Sequence, residues 1–461
     1  MKYYRINCNF EFRRERMNEE YKKYQDEAFE IVTHAANEIG PRLPGTANER
    51  KFHDYMAEKL KSIGVKPVRE EFAVAPRAGI GGLPYAGYVG LIVSAGALIA
   101  RQITSVWYLT AALSVLMLFW LVASCFLYRT WFDIFFKQKI SQNTLGEVLP
   151  EDGEYDYTII LSGHTDTSWN WRHSEKGYWK KDNPIAALVA TYGKVGFGAV
   201  CVIGMCLISI FMALIYFFGG ELHSMWALKV ANTQFFNFLN RVLIVLPFIT
   251  AIGSLFIIAW NDPDEENASR GAMDNATGIA LSYVVTKYFK ENPDKMPKRC
   301  RIVDCNCGSE EVGLRGSMAF AKEHKNDDLT KNAWNINIDS VADKEYFEVV
   351  IKDDWQMCRF DKDLEKMFKD TFAELEIVSK TGGCIHNPVG GCDSTPMTRA
   401  GIKSVTFAAQ NPMLTYYYHT FRDTPDRFEP ETVGLGFEVV LGVIDKIAKF
   451  QEENGFNGVN N

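Results

Sequence analysis

The sequence predicts an α/β fold: a mainly parallel mixed sheet with helices on both faces, into which two transmembrane helical hairpins are inserted. Three observations carry this. Short apolar runs alternate with stretches at helical spacing, four long runs hold no charged residue, and the polar segments left between those runs read as one domain. The chain has 461 residues, 47% of them hydrophobic and 13% aromatic, enough for a sizeable core.

Residues 13–38 and 47–63 read as helices. In the second, Thr46 or Asn48 can cap, and Phe52, Tyr55, Met56, Leu60 and Ile63 recur at helical spacing. Strand candidates are 158–161, 301–305, 334–338 and 404–408; helix candidates among them are 276–289, 364–375 and 430–450. This alternation argues for parallel strands covered on both faces. The last residues, EENGFNGVNN, read as a frayed tail.

No charged residue occurs in 78–100, 102–128, 195–220 or 242–260. Each run is near or above the roughly 20 residues that cross a bilayer core as a helix. They fall in two close pairs, so the expected division is polar segments 1–77, 129–194 and 261–461, with hairpins at 78–128 and 195–260. Buried helices of a large core are the other reading of such runs. Beside the polar domain lie Arg77, Arg129, Lys137, Lys139, Lys176, Lys180, Lys181 and Lys194, whereas the hairpin tips offer Arg101, Lys229 and Arg241. The positive-inside rule then puts the polar domain in the cytoplasm of an integral membrane protein with about four transmembrane helices.

Composition narrows the partners. A net charge of -7 gives no reason to expect nucleic acid. Ten cysteines without small-domain spacing suit a reducing compartment. The charged N-terminus has no apolar core and does not read as a signal peptide.

In open parallel sheets, ligands bind beyond the carboxyl ends of the strands. TIILSG runs into His164, then Thr165 and Asp166; CRIVDCNCGS runs into Glu310 and Glu311; NINI ends in Asp339. GAMDNATG puts Asp274 in a turn before a helix, and YYYHTFRDTPD places His419 in a loop after the strand near Val405. Singly, each is as ordinary as a surface triplet, a solvated helix start or a capped turn. Gathered on one sheet edge, they are costly unless something binds there.

These motifs resemble the co-catalytic two-zinc aminopeptidases, metallopeptidase family 28, whose branches include glutamate carboxypeptidase-like and glutaminyl-cyclase-like proteins. The resemblance starts at IGPRLPGTANERKFHDYMAEKLKSIGVKPVREEF and runs through LSGHTDTS, GAMDNATGIA, GSEEVGLRGS, NINIDS, GGCDSTPMTRAGI and YYHTFRDTPD. It covers nearly all the chain outside the hydrophobic runs, which makes the polar segments parts of one peptidase domain. One departure stands out: His164 and Asp274 lie 110 positions apart, with the second hairpin between them, where the family keeps them close. Loops on a rigid sheet tolerate such insertions.

The resemblance implies the roles. Asp274 would bridge two divalent ions, Zn²⁺ before others given nitrogen and oxygen ligands. His164 and Asp339 would complete one ion's protein ligands, Glu311 and His419 the other's. Asp166 would accept the second ring N–H of His164 and fix its tautomer. Glu310 would be the general base. Asp393, in GCDSTP, matches a motif near the site rim; Tyr418 is a candidate for touching substrate, and His386 a candidate for the substrate pocket or equally for the surface. No G-x-S-x-G elbow supports a serine mechanism.

Cys305 and Cys307 read as strand packing, and Cys384 and Cys392 could form a disulfide only in an oxidising space. His34, His53, His173, His223 and His324 show no partner pattern. The expected activity is removal of N-terminal residues from peptides by a membrane-bound metallo-aminopeptidase, with a peptide bearing a free N-terminus and the lipid bilayer as partners. The alternatives are a carboxypeptidase, another amide hydrolase of the family, or an inactive receptor-like relative.

Overall fold

In the computed structural model of the chain, which describes residues 19–172, 184–222, 234–262, 264–412 and 416–456, apolar spacing sets the helices. α1 (Glu19–Thr33) buries Tyr24, Ala28, Ile31 and Val32. It runs into a wider turn, His34–Ile39; the expected helical residues 13–18 lie outside the described residues, as does the end of the tail beyond 456. α2 (Ala47–Ser62) begins where Thr46 accepts the Glu49 N–H, the expected cap, and buries Phe52, Met56, Ala57 and Leu60.

The four strands expected at the centre are present and somewhat longer: β3 (Tyr157–His164), β4 (Cys300–Cys307), β5 (Ala333–Val341) and β9 (Lys403–Ala409). They lie side by side in the order β4-β3-β5-β9, all parallel. Every residue of β3 and β4 is buried, as a sheet covered on both faces requires.

The sheet as a whole is mixed, as expected, but parallel pairing is not its main part: antiparallel pairs are as many. β1 (Val68–Val74) and β2 (Lys139–Val148) add antiparallel strands beside β4. β6 (Phe347–Asp353) runs antiparallel to β9, pairs with β7 (Cys358–Arg359) in the same sense, and pairs in parallel with β8 (Cys384–Asn387). Among the described residues the sheet has nine strands.

Among the described residues, five more helices belong to this domain: α7 (Thr277–Glu291), α8 (Arg315–Glu323), α9 (Lys362–Glu374), α10 (Ser394–Arg399) and α11 (Pro430–Glu453) join α1 and α2 around the sheet. α7 lies unusually near β5, because a side chain at Gly278 would run into the Ile338 carbonyl. That approach brings the turn before α7 against the strand ends.

Among the described residues, four helices are long and apolar enough to cross a membrane, over Ile80–Ala100, Val106–Phe126, Gly193–Phe218 and Arg241–Ile258. They include α3 (Leu83–Ala100), α4 (Val106–Trp120), α5 (Pro184–Leu222) and α6 (Gln234–Ile258). α3 packs closely on α6: a side chain at Gly87 would meet the Ser254 carbonyl and Ile258. Close approach at small residues is how helices associate in lipid. Outward-facing Leu109, Val200, Phe217 and Phe248 are exposed. The first pair stands between β1 and β2, the second between β3 and the Asp274 turn. The second tip, with Lys229, and Lys176, Lys180 and Lys181 lie outside the described residues.

Candidate metal centre

Each candidate ligand sits at a strand end or in a turn beside one. His164 is the last residue of β3, and Glu311 follows β4 in a tight turn. Asp339 lies where the β5–β9 register shifts after Ile338. Asp274 follows Gly271, whose φ of 58° suits glycine. His419 comes in the loop after β9. The structure brings all five together. Asp274 reaches both imidazoles: its Oδ1 is 3.0 Å from His164 Nε2 and its Oδ2 is 3.0 Å from His419 Nε2. Asp339 Oδ1 lies 3.7 Å from His164 Nε2, and Glu311 Oε1 lies 3.2 Å from His419 Nε2. Two groups result, His164–Asp274–Asp339 and Asp274–Glu311–His419, each with ligand atoms within 4.8 Å of one another.

These residues fit divalent cations. The donors are imidazole nitrogens and carboxylate oxygens, with no thiolate, which suits Zn²⁺ and similar ions. Glu311 Oε1 is buried without a hydrogen-bond partner. Carboxylates this close and this buried call for positive charge. Burial works against a charged His419, yet Glu311 and Asp274 outweigh it and hold its pKa up at about 10. Burial, together with the neighbouring Glu311, Asp393 and Asp339 carboxylates, pushes Glu310 well above the ordinary glutamate range.

A second layer of buried groups holds these side chains through the backbone. The Asp166 carboxylate accepts the N–H groups of Glu310, at 2.8 Å, and of Glu311, at 3.0 Å. Its geometry thus differs from the tautomer role expected for it. His164 Nδ1 is 3.2 Å from the Asp166 carbonyl oxygen, while the carboxylate Oδ1 is 3.5 Å away. Three other members were not singled out from sequence. Asp423 accepts the N–H groups of Met273 (2.9 Å) and Asp274 (3.0 Å). Glu49 accepts those of Gly45 (2.7 Å) and Ser309 (2.8 Å). Asn275 accepts the N–H of Ser340 at 3.2 Å and donates to the Ile338 carbonyl at 2.9 Å, spanning Asp339.

Residues 257–444 match peptidase family M28. The M28 match takes in Asp274, Glu310, Glu311, Asp339 and His419; His164 precedes it, on the far side of the second hairpin. The family resemblance read from the motifs is borne out. The fold is similar to that of a zinc aminopeptidase from Bacillus subtilis, at 13% identity over 92% of this chain and 95% of that one, with a TM-score of 0.51. It is likewise similar to a glutaminyl cyclase from Bacteroides thetaiotaomicron, at 14% identity over 91% of this chain and 97% of that one, with a TM-score of 0.50. Among curated proteins, none matches the chain.

Around the five candidate ligands, the remaining candidates separate. Tyr418 stacks on the His419 ring, with centroids 3.8 Å apart. Asp393 is buried and accepts a hydrogen bond from Ser317; burial first, then Asp339 and Asp166, pushes its pKa up to about 7. His386, for which a place beside the substrate and a place on the surface were both open, does not join the cluster. It is exposed on β8, opposite Lys352, with Nδ1 3.6 Å from Asp354. Cys305 and Cys307 are buried with sulfurs 3.8 Å apart, and Cys384 and Cys392 are free thiols.

Proposed function

We propose that this chain is a membrane-anchored metallo-exopeptidase that removes residues from the N-terminus of peptides. The observation that carries the reading is Asp274, whose two oxygens face two different histidines at 3.0 Å each. His164 and Asp339 would hold one Zn²⁺, Glu311 and His419 a second, and Asp274 both. Such ions polarise a scissile carbonyl and bring the pKa of water toward neutrality. Glu310 accepts the proton of the attacking water and returns it to the leaving amine, so the peptide bond is exchanged for an acid and an amine with no covalent enzyme intermediate. Asp166 keeps Glu310 in place through its backbone, and Tyr418 and Asp393 border the substrate.

A free substrate amine suits a site rich in carboxylates. A carboxypeptidase needs a cation aimed at the substrate carboxylate. Arg315 is instead spent on Asp133, at 3.2 Å. Arg399 donates to the Gln356 carbonyl at 2.8 Å, and Arg270 to that of Ala36 at 3.2 Å. The four apolar spans supply the anchor, and the basic residues beside the polar domain favour a cytoplasmic site.

A matched pair of short peptides tests the assignment. Acetylating the N-terminus should stop hydrolysis, amidating the C-terminus should not, and a chelator should stop both. Cleavage of the acetylated peptide, with loss on amidation, would make the enzyme a carboxypeptidase.

A further inference from the structure

The hairpins and the metal centre share one edge of the sheet. β2 runs antiparallel to β4, pairing Thr144 with Asn306 and Val148 with Ile302, so its start at Lys139 lies beyond the carboxyl end of β4. β1 is antiparallel to β2 and ends opposite Lys139 at Val74. The first hairpin therefore leaves and returns at the edge where Glu310 and Glu311 follow β4. The second leaves after His164 and returns ahead of Asp274; β3 is parallel to β4, so its end is on that same edge.

Contacts tie the span ends to the site loops. A side chain at Gly79, just before the first span, would lie 3.1 Å from the Val312 carbonyl. One at Gly313 would lie 3.0 Å from the ring of Tyr128, just after the second span. Beyond the fourth, the Trp260 carbonyl accepts the Arg172 N–H at 3.1 Å, and the neighbouring Trp171 N–H donates to the His419 carbonyl at 2.8 Å. An aromatic seam follows the same path. Trp260 lies 5.0 Å from Trp171, which lies 4.3 Å from His419 and 5.8 Å from Tyr418, centroid to centroid. Between the first hairpin and β2, Trp131, Ile134 and Phe135 are 58%, 75% and 73% exposed. Arg129 and Lys137 flank them, the composition of a segment lying at lipid headgroups.

We propose that the metal centre opens onto the bilayer surface, and that its substrates are apolar peptides partitioned into that surface with their N-termini at headgroup level. This rests on the peptidase and membrane readings above. Lipid-bound peptide meets the site as a tethered ligand, at a high effective concentration. The opposite edge of the sheet is about 26 Å further away, eight β3 residues at about 3.3 Å each.

Two measurements on the full chain in lipid nanodiscs test this. A nitroxide on Ile134→Cys should collide with oxygen dissolved in the bilayer, and one on Glu151→Cys, at the far edge, with an aqueous nickel complex. Aqueous behaviour at both positions would overturn the proposal. Second, two peptides share an apolar N-terminal sequence, and one carries a C-terminal hydrophobic anchor. The anchored peptide should be cleaved with a kcat/KM about 100-fold higher. Ile134→Asp with Phe135→Asp should shrink that ratio while leaving cleavage of the unanchored peptide unchanged. Equal rates for the two peptides would overturn this proposal and leave the peptidase reading standing. Cleavage of neither would overturn the peptidase reading and this proposal with it.

Discussion

Replacing Asp166 by asparagine takes away one of the two oxygens that hold the Glu310 and Glu311 N–H groups at 2.8 and 3.0 Å. Whichever way the new amide turns, one of those N–H groups faces a donor. Asp166 has no exposed surface, so water cannot take the lost place. A hydrogen bond to a charged acceptor is worth about 1.5–3 kcal/mol. Amide exchange in the 308–314 segment should then quicken about 10- to 150-fold, read by hydrogen–deuterium exchange with mass spectrometry. Turnover should fall over the same range, because Glu310 loses its fixed position. Bound metal should persist, since His164 Nδ1 meets the Asp166 main-chain carbonyl, which the substitution keeps. Unchanged exchange combined with loss of metal would refute this and show that Asp166 acts through the His164 ring.

Glu310→Gln should retain metal and lose about 100- to 10,000-fold in turnover, whereas Asp274→Ala should lose metal by elemental analysis; normal turnover in the first would remove Glu310 as the base. His324 lies 2.7 Å from Glu70 and against Asp327, and although burial opposes its charge, those carboxylates raise its pKa to about 9. A raised histidine stabilises the fold fully below its unfolded pKa near 6.5 and loses that contribution as pH climbs through about 9. Thermal melts should therefore lose about 1–2 kcal/mol between pH 6 and pH 10, after allowance for solvent screening, and His324→Gln should flatten the difference. The protein should stay with membranes in high salt, because hydrophobic burial is not screened. Gln102→Cys, in the first hairpin tip, should label from outside the cell and Glu151→Cys should not, the reverse pattern giving the opposite orientation.

The residues that touch the proposed ions were legible because their chemistry restricts their type and their place. A histidine or carboxylate that follows a buried strand directly is conspicuous, as His164 and Asp339 are. The hairpins were legible through length without charge. The flanking strands were not: VREEFAV and KISQNTLGEV are half polar and carry neither a clean alternation nor an apolar run. β1 takes its place by pairing with β2, and β2 by pairing with β4, which no local pattern records. Glu49 and Asp423 were missed for a related reason. In sequence they look like a helix-surface glutamate and a turn aspartate, and only a fold that brings residue 49 against residue 309 turns one into an anchor. For His386 the sequence left pocket and surface open, because a histidine in a Gly-rich loop beside a known motif carries no information about which way the loop faces.

Arg42 joins chain segments that the two helical hairpins separate. It stands before the first hairpin, Thr165 between the hairpins, and Gly271 after the second. Its guanidinium, with no exposed surface, donates to the carbonyls of Thr165 (2.8 Å), Arg270 (2.8 Å) and Gly271 (2.8 Å), and to those of Ala35 (3.1 Å) and Gly40 (3.2 Å). Burial lowers its pKa to about 10, which leaves it charged at neutral pH. Five donors in a rigid planar fork can reach carbonyls from three chain segments at once; a lysine, with three donors on one nitrogen, cannot. Gly271 opens the turn that carries Asp274, and Thr165 follows His164, so the same side chain that joins the segments also sets the distance between the two ligands that the second hairpin separates in sequence. The spacing of the site is thus fixed by this buried fork and not by the length of chain between its ligands.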